Sequence, residues 1–452
     1  MTTLWAPRAW VAGAWAEQVL LHIGADGRWA DVAVGVPAPD GAEVLPGPVL
    51  PGLVNAHSHA FQRAFAGLAE RREGEHDDFW SWRDRMYRVA LAISPEQLRA
   101  VAALLYRELL RGGYTQVCEF HYLQHQPDGQ PYADPATLGW ALADAAAEAG
   151  IGLTLLPVLY ERAGFAQPAL RDDQRRFRTD ADAVHALARR FADARRPNVN
   201  AGVAVHSLRA AAPASIHRLR ALAADLDGPI HIHVAEQTAE VDDCLAATGR
   251  RPMQWLADEG LLDARWQLVH ATHGVPAEID AVAATGAGAV ICPTTEANLG
   301  DGVPDLPRWL AAGVPMAIGS DSHVGRDWRE ELRWLDYAQR LVRRQRNVAA
   351  TPAQPATAAR LFDAALAGGA KAAGFARWGL VPGARADLLL PDPADPVSAG
   401  LPPGQLLDAT VFSGPARPFA RTLVAGRWVA DDDAALHARG TAALQALHGG
   451  PR

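Results

Sequence analysis

Two alternating textures fill most of this chain. Short apolar runs rich in β-branched residues are separated by longer stretches in which apolar residues recur every three or four positions. The first texture predicts strands buried on both faces, the second amphipathic helices. Eight strands are expected: Leu53–Ala56, Gln116–Phe120, Leu153–Val158, Gly202–Val205, Ile230–Val234, Gln267–Val269, Ala289–Cys292 and Met316–Ile318. Helical spacing lies between them, as in Pro95–Arg111, Pro135–Ala149, Asp180–Ala194 and Ala214–Asp225. Strict alternation of this kind favours an α/β fold, a (β/α)8 barrel of the TIM type. The two ends read differently. Residues 1–50 carry Trp, Val and Gly with turns at Ala12-Gly13 and Gly24–Gly27, and short strand-like runs return at 386–390, 408–412 and 422–429. Both ends together are expected to build a small β-sandwich domain. The division is then 1–50 plus 381–440 for that composite domain, 51–380 for the barrel and 441–452 for a C-terminal tail, with a loop over 399–405.

Composition narrows the picture only slightly. The chain has 452 residues, enough for a large core plus a smaller domain, with 49% hydrophobic and 21% charged residues. A formal charge of −8 argues against a general nucleic-acid binder. Three widely spaced cysteines, Cys118, Cys244 and Cys292, suggest reduced core thiols and no disulfide framework. The N-terminus lacks a basic leader followed by an apolar core, and no apolar run reaches about 18 residues, so a cytoplasmic location without membrane contact is expected. The basic residues are arginines apart from a single lysine, Lys371.

The chemistry sits at the predicted strand ends. His57 and His59 close the first strand, two positions apart, so both imidazoles project to one face. His233 ends the fifth strand, with His231 one pleat deeper, inside the barrel. Asp321 ends the eighth. Zinc accepts imidazole nitrogen and carboxylate oxygen, and a hydrolytic site keeps a position for water. Any one of these residues alone reads as a satisfied core histidine or a helix-capping aspartate. Four groups delivered at strand ends read as one metal site, with His57, His59, His233 and Asp321 as ligands. One divalent cation is expected, zinc ahead of other metals that His and Asp also accept. Glu236, three residues past His233, is placed to carry protons to a leaving nitrogen. His270, ending the sixth strand, is placed to act on water together with Asp321, and His273 competes for that role from farther into the loop. Arg83 and Arg209 could each hold a carboxylate through paired N–H donors.

This array of HxH, a fifth-strand His, a sixth-strand His and an eighth-strand Asp resembles the amidohydrolase superfamily, whose split β-domain around a (β/α)8 barrel matches the organisation above. The resemblance extends through PGLVNAHSHAFQRAFAG, DDFWSWRDRMYR, EFHYLQH, VHSLRA, HIHVAEQTAEVDDC, LVHATH, CPTTEANLGDG and GSDSHV, between residues 51 and 324. Binuclear members use a carboxylated lysine, usually on the fourth strand. Lys371 lies far beyond the eighth, so the resemblance implies a mononuclear site. It also implies hydrolytic deimination of an amidine-like C–N bond, with a ring deaminase acting on guanine or cytosine as the alternative. By resemblance, Gln62, Arg83, Tyr122, His206 and Arg209 contact a small dicarboxylate substrate, Glu236, His270 and Asp321 carry the catalysis, and the protein is a homodimer.

Overall fold

The computed structural model describes residues 2–72, 79–396, 400–414 and 419–449, the side chains of residues 79, 80 and 403 excepted. Residue 399 of the expected loop and 450–452 of the expected tail lie outside the described residues, as do Asp77 and Asp78 of the DDFWSWRDRMYR motif.

Eight parallel strands stand side by side in chain order: Leu53–Ser58, Tyr114–His121, Gly152–Leu159, Val203–Val205, Ile230–Val234, Trp266–His270, Gly288–Ile291 and Met316–Ile318. The first and eighth meet through one bridge, Ser58 to Asp321, so the barrel is nearly closed. Every residue of these strands is buried, which explains their largely apolar runs. All eight coincide with the expected segments. The fourth differs in detail. Val199–Ala201 pairs only with the third strand, whereas Val203–Val205 pairs with both the third and the fifth. Gly202 separates them, because a Cβ there would lie 2.3 Å from the Pro229 carbonyl oxygen.

Helices cover the barrel where helical spacing predicts them. Pro95–Arg111 starts with a reciprocal cap: Ser94 Oγ accepts from the Gln97 N–H and the Gln97 side chain accepts from the Ser94 N–H, with Pro95 in the first helical position. The helix Thr357–Ala372 lies across the eighth strand. Gly368 permits this approach, since a Cβ there would stand 2.1 Å from the backbone oxygen of Met316.

The chain ends form two small sheets over one apolar core. Thr2–Val11, Ala14–Ile23 and Trp29–Ala33 are antiparallel, with Glu43–Val44 added in parallel to the first. Leu388–Pro391, Phe419–Val424 and Arg427–Trp428 form the second sheet. Leu4, Val19, Leu21 and Trp29 from the first sheet pack with Leu388, Leu390 and Leu423 from the second.

Two stretches depart from expectation. Residues 408–412 read as a strand but belong to the helix Leu406–Phe412. Their β-branched composition yields to spacing: Leu407, Thr410 and Val411 are the buried positions, one helical face, and Thr410 Oγ1 donates to the carbonyl four residues back. The expected tail from 441 is part of a helix, Ala434–His448. Its Ala443 packs on Val101, and a Cβ at Gly440 would lie 2.9 Å from Leu104, so the helix lies on Pro95–Arg111. Asp433, just before it, pairs with Arg107 Nε at 2.8 Å. The segment is short and Ala-rich, and its helicity is supported by this docking.

Gly368→Ala should destabilise the chain by about 1–3 kcal/mol, because the added methyl meets backbone and the helix must move away from the strand. A denaturant midpoint equal to that of the wild type would refute the close approach.

Candidate functional site

Strand parity and strand ends bring the singled-out residues to one mouth of the barrel. His57 near the end of the first strand and His59 just past it both turn toward the cluster, while Ser58 between them turns to Glu119. His57 Nε2 stands 3.1 Å from His59 Nε2 and 2.9 Å from His233 Nε2. Asp321 Oδ1 stands 3.3 Å from both His57 Nε2 and His59 Nε2. A tetrahedral zinc with ligands at about 2.1 Å has ligand-to-ligand edges of about 3.4 Å, close to these spacings.

The protonation states fit a cation. His59 Nδ1 lies 2.9 Å from the Phe120 carbonyl oxygen, so its N–H points there and a neutral ring presents its Nε2 lone pair to the cluster. Burial, then the neighbouring imidazole of His59, pushes His57 down to about 3. Burial and the surrounding histidines hold His233 well below the usual histidine range. Burial alone would raise Asp321, but His57, His59 and His270 hold it below the usual carboxylate range. Three neutral imidazoles with converging nitrogens cannot satisfy one another by hydrogen bonding. A divalent cation among them would take up these lone pairs and the carboxylate charge. Potential ligand atoms lie within 4.8 Å of one another in three overlapping groups: His57, His59 and Asp321; His57, His233 and His270; and His270, Cys292 and Asp321.

His270 is held between carboxylates. Its Nε2 lies 3.6 Å from Glu236 Oε1 and its Nδ1 lies 3.4 Å from Glu296 Oε1. Burial acts to lower its pKa, but Glu236, Glu296 and Asp321 outweigh it and push it up to about 10. Burial pushes Glu236 up to about 7 against the charge of His270. The loops that present these groups are tightly bent. Ala235, His270, Ala271 and Asp321 all take φ between 46° and 67°, a left-handed conformation uncommon for residues other than glycine.

The pocket above the cluster is lined by Gln62, Arg83, Tyr122, His206 and Arg209, with Trp82, Met86, Tyr87, Tyr160, Phe177 and Leu299 as its less polar walls. Gln62 Nε2 donates to Tyr122 Oη at 3.0 Å, while the buried Gln62 Oε1 has no partner among the described residues. His206 packs against the Tyr160 ring at 4.4 Å, and burial followed by the charge of Arg209 holds it well below the usual histidine range. Arg209 has no hydrogen-bond or ion-pair partner among the described residues and faces the same cavity as Arg83. The arrangement can accept an anionic molecule whose far end reaches the histidine cluster.

Other candidates fall elsewhere. His231 bonds the Ala372 carbonyl at 2.8 Å, deeper in the barrel. His273 does not reach the cluster; its carbonyl accepts from Arg251. Arg63 pairs with Glu108 through two bonds of 2.7 and 2.9 Å. Lys371 donates to the Gly286 carbonyl, at the end of the barrel where the seventh strand begins. Sequence reasoning missed Glu296 as the partner of His270. It also missed Glu240, whose oxygens accept from the Ala235 and Glu236 N–H groups at 3.1 Å each. Both occupy first helical turns, where a carboxylate is ordinary, so nothing in the sequence set them apart.

Residues 49–429 match the model of the amidohydrolase family. Over 433 residues the chain is 49% identical to the formimidoylglutamate deiminase of Pseudomonas aeruginosa, covering 96% of this chain and 95% of that protein. It is 30% identical to the 5-methylthioadenosine/S-adenosylhomocysteine deaminase of Natronomonas pharaonis, covering 85% and 81% of the two chains. Among solved structures, an amidohydrolase from Brucella melitensis superposes with a TM-score of 0.94 at 40% identity, covering 99% of this chain and 100% of that one. An adenosine deaminase from Xanthomonas campestris with bound zinc gives 0.81 at 25% identity, covering 99% and 98%.

Elemental analysis of the purified protein should find about one equivalent of divalent metal, and His233→Ala, which removes one of the four expected ligands, should retain less than a tenth of it. Full metal content in that variant would remove His233 from the site.

Proposed function

The chain belongs to the amidohydrolase family, and from that membership we propose that it hydrolyses N-formimidoyl-L-glutamate to N-formyl-L-glutamate and ammonia. The observation that carries this reading is the 49% identity, over nearly the whole of both chains, to a formimidoylglutamate deiminase. The pocket supports it: Arg83 and Arg209 line a cavity whose lining also includes His59, His233 and Asp321 of the cluster. Two guanidinium groups suit a substrate with two carboxylates, and a neutral purine or pyrimidine has no use for both. The ring deaminases among the relatives are also the more distant ones.

His57, His59, His233 and Asp321 would hold one divalent cation, and zinc is the ion proposed, in keeping with the zinc in the Xanthomonas structure. Such an ion supplies Lewis acidity, lowering the pKa of water toward about 7. The chain's own groups do the rest. Arg83 and Arg209 bind the carboxylates and direct the formimidoyl carbon at the cluster. Gln62, Tyr122 and His206 offer neutral polar contacts around the substrate. Asp321 and His270 accept or orient the proton of the attacking water. Positive charge at the cluster opposes the carboxylates that favour protonated His270 and so favours its accepting form. Glu236, with burial raising its proton affinity, delivers a proton to the departing nitrogen. The C–N bond breaks, a C–O bond takes its place, and ammonia leaves. This reaction is a step of histidine degradation.

Among the described residues, no helix is long and apolar enough to cross a membrane.

Incubation with N-formimidoyl-L-glutamate should release ammonia, and mass spectrometry should identify N-formyl-L-glutamate. Free glutamate with formamide, or faster turnover of guanine or cytosine, would reject the assignment. Arg83→Ala and Arg209→Ala should each raise KM by roughly 10- to 100-fold with a smaller effect on kcat, the scale of a lost charge-assisted contact. Unchanged KM in both would remove the arginines from substrate binding.

A further inference from the structure

Behind the histidine pair lies a carboxylate with no part in the chemistry above. Glu119 is on the second barrel strand and is buried. Its oxygens accept three hydrogen bonds: from Ser58 Oγ at 2.6 Å, from the Ala60 N–H at 2.6 Å and from the Tyr106 hydroxyl at 3.2 Å. Ser58 lies between His57 and His59, and Ala60 follows His59. One side chain therefore grips the polypeptide on both sides of His59.

The backbone gives this grip its purpose. Asn55 pairs with Val117 and Ser58 pairs with Glu119, so three steps on the first strand match two on the second. The first strand carries one extra residue at that point, a bulge, and bulges re-aim side chains at the expense of regular pairing. On its other side the strand meets the eighth strand only at the bridge from Ser58 to Asp321, where the Asp321 N–H donates to the His57 carbonyl at 3.0 Å and the His59 N–H to the Asp321 carbonyl at 3.4 Å. Where the ladder to the second strand lapses, the Glu119 carboxylate replaces it. The same network extends toward Asp321: Ser58 Oγ is 3.4 Å from His323 Nε2, and His323 Nδ1 is 3.0 Å from the hydroxyl of Ser320, the residue before Asp321.

We propose that Glu119 is a positioning residue for the metal centre: by holding Ser58 and the Ala60 N–H it fixes the bulged His57–Ser58–His59 segment so that both imidazoles are aimed before the cation arrives. The proposal rests on the assignment of His57 and His59 as metal ligands. Groups that orient ligands in this way are worth about 10- to 100-fold in metal affinity.

The test titrates Zn2+ into the metal-free full-length chain against a chromophoric chelator, with circular dichroism and melting temperature of each metal-free protein recorded in parallel. Glu119→Ala should bind Zn2+ about 10- to 100-fold more weakly than the wild type. Ser58→Ala, which cuts one tether and leaves the Ala60 contact, should show a smaller loss in the same direction. At saturating Zn2+ both variants should recover most of their kcat with KM unchanged, which general damage to the fold would not allow. Folded Glu119→Ala binding Zn2+ within twofold of the wild type would overturn the proposal. Should Glu119→Ala fail to fold, Ser58→Ala decides alone, and wild-type affinity in it overturns the proposal. A wild-type protein that takes up no Zn2+ would overturn the metal assignment itself and this inference with it, and is thereby distinguished from a failure of Glu119 alone.

Discussion

Three imidazole nitrogens and a carboxylate oxygen from three places in the chain gather around His57. His57 is 2.9 Å from His233 and 3.1 Å from His59, and Asp321 is 3.3 Å from His57 and His59. Buried lone pairs at such separations repel, and hydrogen bonding cannot resolve three of them at once. The barrel must therefore hold them together against a cost that a cation repays. Much of the surrounding structure serves that purpose: nearly complete closure of the strands, the bulge before Ser58, the left-handed turns at Ala235, His270 and Asp321, and the carboxylates behind them.

The charge pattern around this centre is layered. Neutral histidines with Asp321 form the inner group. Glu236 and Glu296 flank His270, and Glu240 secures the bend that carries Glu236. Arg83 and Arg209 face the pocket on the substrate side. Negative charge thus surrounds the proposed cation and the proton carriers, while positive charge is reserved for an anionic ligand. A pocket that separates the two signs in this way orients a molecule with carboxylates at one end and an amidine at the other, because the reverse orientation sets carboxylates against carboxylates.

Proton traffic in the site depends on the same separation. Burial raises the proton affinity of Glu236, while the charge of His270 lowers it. The carboxylates in turn raise His270. Each group's proton affinity depends on the charge of the other, so the two titrate as a pair.

The sequence by itself determined the architecture and most of the site. Eight buried strands gave eight short, mostly apolar runs, because parallel strands are covered on both faces, and the polar residues that interrupt them, such as His57, Glu119 and His233, belong to the site or its support. The pairs His57–His59 and His233–Glu236 were legible because strand parity and strand-end position follow from spacing alone. Tertiary structure decided the rest. Whether His270 or His273 reaches the cluster depends on a left-handed turn that no residue type announces. Glu119, Glu240 and Glu296 look like ordinary strand or helix-start carboxylates until the fold shows what they hold. Residues 441–448 belong to a helix that docks on a barrel helix distant in sequence. Local pattern records which face of an element is buried. It does not record which partner buries it, and partners far apart in the chain are what aim a ligand, orient a proton carrier or convert an expected tail into a docked helix.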